Sequence, residues 1–254
     1  MSIFHELLER WNIQQRIFME HREHRVHVMA SVINELDPVD GRPIRVLDLG
    51  CGPGSVSHTI LEQVPNCQIV GVDRDPVLLR IAAETNPDPS RFHIVDANLS
   101  EAGWLDKLPF DEFDAMVSAT ALHWLSPATL VSVYAEAAKL IRPGGVLLNA
   151  DHLYYSTEQK PVLGSIAERL RDRYMDNAIS EGAQTWEAWW DEALAVPEMA
   201  VEAELHRERW AERHAAAYVT RTFHLEAMRA AGCSEADVIW REFDDIVLCG
   251  VLST

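Results

Sequence analysis

Val46-Leu47-Asp48-Leu49-Gly50-Cys51-Gly52-Pro53-Gly54 is the stretch whose reading decides the fold. The apolar run Ile44 to Leu49 ends in glycines at 50, 52 and 54, the pattern of a buried strand that turns sharply into a helix. Without side chains, the turn lets backbone approach a ligand closely. The helix that follows, Ser55 to Val64, aims its N-terminus at the same place. A dinucleotide fingerprint, G-x-G-x-x-G, would carry its third glycine one position later, where this chain has Ser55. Asp48 adds negative charge beside the turn, which repels a pyrophosphate and suits a cationic or amino-bearing ligand.

Outward from this turn, strands and helices alternate. Gln68 to Val72 reads as a second buried strand, ending at Asp73, and Asp75-Pro76 opens a helix that runs to about Glu84. Arg91 to Val95 and Phe113 to Ser118 read as strands three and four. A helix from Ser126-Pro127 runs to about Ile141, and Pro143-Gly144-Gly145 turns into a fifth strand, Val146 to Ala150. Such alternation predicts a doubly wound, mostly parallel sheet with right-handed crossovers. Before it, residues 3 to 36 read as one long helix or two shorter ones, stopped by Asp37-Pro38. Residues 152 to 220 break the alternation with helical spacing (Leu163, Ile166, Leu170, Tyr174), which predicts two to four inserted helices. A last helix, Phe223 to Ala231, precedes two strands, Ala236 to Trp240 and Ile246 to Leu252. Their short turn at Asp244-Asp245 requires antiparallel pairing. The expected architecture is therefore α/β with seven strands, the last antiparallel. It has a helical cap over residues 1–40, a core domain over 41–151 and 221–254, and an insertion over 152–220.

Charge narrows the function. The 254 residues include 22 Lys and Arg against 40 Asp and Glu, a formal net charge of −18. Nucleic-acid binding draws most of its affinity from a basic face, so a polynucleotide partner is not expected. Cys51, Cys67, Cys233 and Cys249 form no C-x-x-C pair and read as free thiols of a reducing cytosol. Charges at Glu6, Glu9 and Arg10 argue against a signal peptide, and no apolar run is long enough to span a membrane. A cytoplasmic protein is the expectation. His21, His24 and His27 recur at i, i+3, i+6 rather than the i, i+4 spacing of helical metal ligands, so no metal site is expected.

The string VLDLGCGPG resembles the first motif of the class I S-adenosylmethionine-dependent methyltransferases. The resemblance continues through Val70-Gly71-Val72-Asp73, Val95-Asp96-Ala97, Phe113-Asp114-Ala115, Ala121-Leu122-His123-Trp124 and Leu140-Ile141-Arg142-Pro143-Gly144-Gly145. It implies a Rossmann-like, S-adenosylmethionine-binding core domain. It also implies a cofactor site formed by Asp48, Gly50, Cys51, Gly52, Gly54, Asp73, Arg74, Asp96, Ala97, Ser118 and Ala119. In that family the acid matching Asp73 accepts both ribose hydroxyls. The acid matching Asp96 meets the adenine amino group, and the residue matching Ala97 donates a backbone N–H. Ser118-Ala119-Thr120-Ala121 replaces the Asn/Asp-Pro-Pro-aromatic string of enzymes that methylate base amino groups, and no carboxylate cluster resembles a catechol-type metal site.

The acceptor is then a small molecule, with a lean to oxygen. His123 is the candidate acid/base residue. Asp151, His152, Tyr154, Trp186, Trp189 and Trp190 are candidate acceptor contacts, with the cap and insertion as a lid. Two rival readings are a nicotinamide-dependent oxidoreductase and a non-catalytic S-adenosylmethionine-binding protein.

Overall fold

The computed structural model describes residues 2–37, 41–156, 158, 160–211 and 219–253; Pro38 of the expected helix stop lies outside them. Its strands are β1 (Ile44–Leu49), β2 (Cys67–Asp73), β3 (Phe92–Asp96), β4 (Phe113–Ala119), β5 (Ile141–His152), β6 (Cys233–Glu242) and β7 (Asp245–Leu252). Its helices are α1 (Ile3–Phe18), α2 (Arg22–Asn34), α3 (Ser55–Gln63), α4 (Pro76–Glu84), α5 (Pro127–Leu140), α6 (Pro161–Ser180), α7 (Trp186–Ala193), α8 (Ala200–Arg209) and α9 (Arg221–Ala230). One seven-stranded sheet runs β3-β2-β1-β4-β5-β7-β6. Strands β1 to β5 pair in parallel, and β7 is antiparallel to both β5 and β6. The expected mostly parallel sheet with an antiparallel last strand is what the chain forms.

Side-chain alternation along each strand feeds a core on either face. Leu47, Leu49, Val70, Val72, Met116 and Leu147 pack on one side with Leu130, Val133 and Tyr134 of α5 and Leu225 and Met228 of α9. Val46, Ile69, Ala115, Val117 and Leu148 pack on the other with Val26, Met29 and Ile33 of α2 and Ile60 of α3. The strand order reverses direction between β1 and β4, which opens a crevice beyond their carboxyl ends.

The N-terminal residues form two helices, broken at Met19–His21. The phase slips in the apolar stripe have a tertiary cause. Leu7, Leu8 and Trp11 of α1 join a third cluster with Val77 and Leu78 of α4 and Trp189 of α7, whereas α2 packs against the sheet. The turn expected at Pro143-Gly144-Gly145 lies within β5 as an irregularity: Ile141 pairs with Phe113 and Val146 with Ala115, leaving the residues between out of register. A Cβ on Gly145 would come within 2.6 Å of the Asp114 carbonyl oxygen, so only glycine fits there. Among the described residues of the expected insertion, 152–220, the chain forms three α-helices, α6 to α8. Among the described residues, no helix is long and apolar enough to cross a membrane.

Candidate active site

The turns that frame the site follow the carboxyl ends of β1, β2, β4 and β5. After β1 the chain turns through Gly50 at φ 75°, where a Cβ would overlap the Ala121 Cβ at 2.3 Å. Gly52, at φ 55°, sends its N–H 2.8 Å to Oδ2 of Asp73 at the end of β2. Oδ1 of Asp73 accepts the Asp75 N–H at 2.9 Å. Burial pushes the Asp73 carboxyl up to about 6, while those backbone N–H groups pull it back. At neutral pH it is therefore an anchored carboxylate. Asp48 is buried beneath the turn and raised to about 7 by burial, partly offset by the Ser57 hydroxyl, which donates at 2.6 Å. Burial also raises the Cys51 thiol, so it stays protonated.

A cavity of about 750 Å³ lies over these groups. One end is lined by Asp73, Arg74, Asp75, Ala97, Asn98 and Leu99, and the middle by Asp48, Gly50, Cys51, Gly52, Ser55 and Ala119. The far end is lined by His123, Asp151, His152 and Tyr154, together with Arg22, Arg25 and Arg171, while Trp186 and Trp190 of α7 form a side wall that reaches His206. At the far end Thr120, a β-branched residue at φ 51°, reverses the chain after β4 and is tied to β5 by its N–H to the Ala150 carbonyl at 2.9 Å. A single 3-10 turn, Leu122–Trp124, then directs His123 at the buried Asp151 carboxylate. Burial alone would lower the His123 imidazole. The Asp151 charge and hydrogen bond more than offset it, so its pKa is raised.

Several expected contacts are corrected. Trp189 is fully buried between α1 and α7, donates to the Leu7 carbonyl at 3.2 Å and does not line the cavity. Its indole completes the third core cluster, whereas Trp186 and Trp190 reach the wall. The Ala97 N–H is taken by the Asp73 carbonyl at 2.9 Å, because β3 continues its ladder with β2 to that point. Asp96 is half exposed and stands outside the cavity wall, held at 2.8 and 2.9 Å by the Arg209 guanidinium. Ser118 is buried and donates to the Leu49 carbonyl at 2.7 Å, tying β4 to β1 behind the wall. Gly54, at φ 85°, packs on Phe92, again behind it. Arg74 does line the cavity, with its guanidinium 4.6 Å from the Trp210 ring centroid and donating to the Arg209 carbonyl.

Sequence reasoning missed Arg22, Arg25, Ser55, Asp75, His206 and Trp210, all on the wall; Arg171, which reads in sequence as either an acidic-substrate contact or a paired surface charge, lines the wall as well. Asp75 was legible as the α4 cap, whose Oδ1 accepts from Val77 and Leu78. Nothing local announced that its Oδ2 is shared by His206 and Trp210. Arg25 pairs with Asp245 and bonds His152, and Arg171 pairs with Asp244, both from the β6–β7 turn. Arg22 has no side-chain hydrogen bond or ion pair among the described residues, and burial lowers its guanidinium to about 10.

These residues fit an adenosyl sulfonium. The buried Ser55 hydroxyl faces the cavity with no hydrogen-bond partner among the described residues. A Cβ on Gly52 would meet nothing nearer than Leu78 at 3.8 Å and would instead fill ligand space. Asp73 keeps lone pairs for two hydroxyls.

Comparison with known proteins agrees. Residues 46–145 match the methyltransferase domain family. Trans-aconitate 2-methyltransferase of Streptomyces avermitilis is 28% identical over 189 residues, 73% of this chain and 68% of that protein. Malonyl-acyl-carrier-protein O-methyltransferase of Legionella pneumophila is 32% identical over 108 residues, 42% of this chain and 35% of that protein. The chain thus spans about two thirds of one curated relative and about a third of the other. An O-methyltransferase family protein from Burkholderia thailandensis superposes with a TM-score of 0.59 at 16% identity, over 96% of this chain and 60% of that one. Human N-acetylserotonin methyltransferase, solved with S-adenosylmethionine, gives 0.57 at 14% identity over 99% of this chain and 58% of its own. At such identities the structures speak for the fold alone. Residues 46–145 are thus a methyltransferase domain by family match, and the motif-bearing turn at Gly50 within them is similar to that of the class I S-adenosylmethionine-dependent methyltransferases.

Proposed function

We propose that this protein transfers a methyl group to an oxygen of a small acceptor that carries carboxylates. The observation that carries the reading is Arg22, a partly buried guanidinium on the acceptor end of the cavity with no described partner, in a chain of net charge −18. A cation left uncompensated in a wall is stabilised by an incoming anion. Both curated relatives are named for carboxylic acids, which agrees with it.

S-adenosylmethionine supplies a methyl group already made electrophilic by its sulfonium. What remains for the chain is alignment and the exclusion of water. Arg22 and Arg171 grip one carboxylate of the acceptor, and Trp186 and Trp190 wall off solvent. A carboxylate nucleophile is ionised at neutral pH and needs no base. His123, held by Asp151, then presents Nε2 as a donor to the acceptor. A second reading rests on that same contact: with a hydroxyl acceptor, Nε2 takes the proton that the oxygen loses.

Methyl-labelled S-adenosylmethionine incubated with a panel of di- and tricarboxylic acids, hydroxy compounds and amines tests the choice. Base-labile methyl esters are expected. Turnover confined to phenols or amines would sink the carboxylate reading.

A further inference from the structure

The insertion does two jobs at opposite ends of the cavity. Helix α6 brings Arg171 to the acceptor end, but α8 docks over the loops that follow β2 and β3. Oδ2 of Asp75 accepts from Nδ1 of His206 at 2.6 Å and from Nε1 of Trp210 at 2.7 Å. Arg209 donates to the Arg74 carbonyl at 2.6 Å and grips both oxygens of Asp96, and Arg74 returns a hydrogen bond to the Arg209 carbonyl. His206 and Trp210 line the cavity beside Asp73, Asn98 and Leu99. His206 stacks on Trp190 at 4.4 Å, and Trp210 meets Trp124 edge-on at 6.5 Å, so aromatic rings roof this end from wall to wall.

We propose that α8 is a clasp over the adenosine end of the cavity, fastened by Arg209 on Asp96 and by His206 and Trp210 on Asp75, and that its opening sets how fast the adenosyl ligand leaves. The inference rests on the cofactor class and not on the acceptor.

Two features of the docking argue for a device that opens. The anchors differ in strength by position. Asp75 is almost wholly buried and doubly bonded, which makes a durable hinge side, whereas the Arg209–Asp96 pair is exposed at the rim and worth little in water. The pair also diverts Asp96 from the adenine contact that family resemblance implies, which leaves the roof itself to hold the base. Trp210 is suited to that: its indole nitrogen is bound to Asp75, and Arg74 covers the ring.

Release of S-adenosylhomocysteine, measured by stopped-flow displacement from the full-length protein, tests this without any acceptor. Arg209→Ala is expected to speed dissociation by roughly three- to tenfold while leaving association within about twofold. Asp96→Ala should give at most that acceleration, and the double variant no more than Arg209→Ala, because the Asp96 carboxylate acts only through that guanidinium. Trp210→Phe, which keeps the ring and loses the donor, should also speed release. Arg207→Ala, exposed on the same helix, should change nothing. Raising salt should accelerate release from the parent protein and not from Arg209→Ala. Effects of Arg209→Ala and Asp96→Ala that multiply would mean that Asp96 acts on the adenine directly, and would overturn the clasp. Unchanged dissociation in Arg209→Ala and Trp210→Phe, with both variants folded, would overturn it equally. Should Arg209→Ala not fold, Asp96→Ala and Trp210→Phe decide alone.

Discussion

Nδ1 of His123 lies 2.9 Å from Oδ2 and 3.1 Å from Oδ1 of Asp151, so a buried carboxylate holds the imidazole at the cavity wall. Asp151 is itself kept ionised: burial would raise it, but His123, Arg25 and His152 together hold it below the usual carboxylate range. In Asp151→Asn, burial and the nearby Arg25 are no longer opposed, so the His123 pKa should fall below about 6.5. Histidine NMR titration reads this directly. The sign for stability follows. His123 contributes stability that is whole below about 6.5 and fades as pH rises through its raised value. Urea midpoints at about pH 5.5 and about pH 8.5 should lose that component in the variant; an unmoved His123 titration would refute the coupling.

Asp73 should make cofactor affinity depend on pH in the opposite direction. Its carboxyl, pushed up to about 6, accepts hydroxyls fully only above that value. Calorimetry with S-adenosylhomocysteine should show weakening as pH falls through about 6. Asp73→Asn should weaken binding roughly 10- to 100-fold at neutral pH and abolish that step. Asp48, near 7, would still titrate. Affinity untouched by the substitution would contradict the site as described.

Arg22 separates the two ligands. Replacing it with glutamine should raise KM for a carboxylic acid acceptor about tenfold or more, while S-adenosylhomocysteine binds as before. Equal loss of both would place Arg22 on the cofactor instead.

Two neighbouring tryptophans should behave differently. Trp189→Ala empties a filled core and should cost about 3–5 kcal/mol of stability, seen as a lower thermal midpoint. Trp190→Ala should weaken ligand binding in the cavity with a smaller loss of stability, since its ring lines the wall beside His206. Equal destabilisation by both would remove Trp190 from the cavity wall.

The parallel strands were readable because each is a short apolar run closed by turn residues, as in Ile44 to Gly50 and Gln68 to Asp73. The cap was harder. Its apolar stripe serves two surfaces, α1 against α4 and α7 and α2 against the sheet, so the break at Met19–His21 reflects packing rather than a local breaker. Trp189 and Trp190 are adjacent and chemically identical, and spacing within α7 could not show which one faces the core.

Local chemistry in the chain determined the glycine turn, the acid that ends β2 and the proline-started, Asp75-capped α4, because each is a relation between residues a few positions apart. Tertiary structure decided which charges meet. Arg25 reaches Asp245, Arg209 reaches Asp96, and Oδ2 of Asp75 is claimed by α8, pairings that span more than a hundred positions. Coulomb and hydrogen-bond energies depend on separation in space, and only the folded sheet, with its helices docked at the crevice, sets those distances.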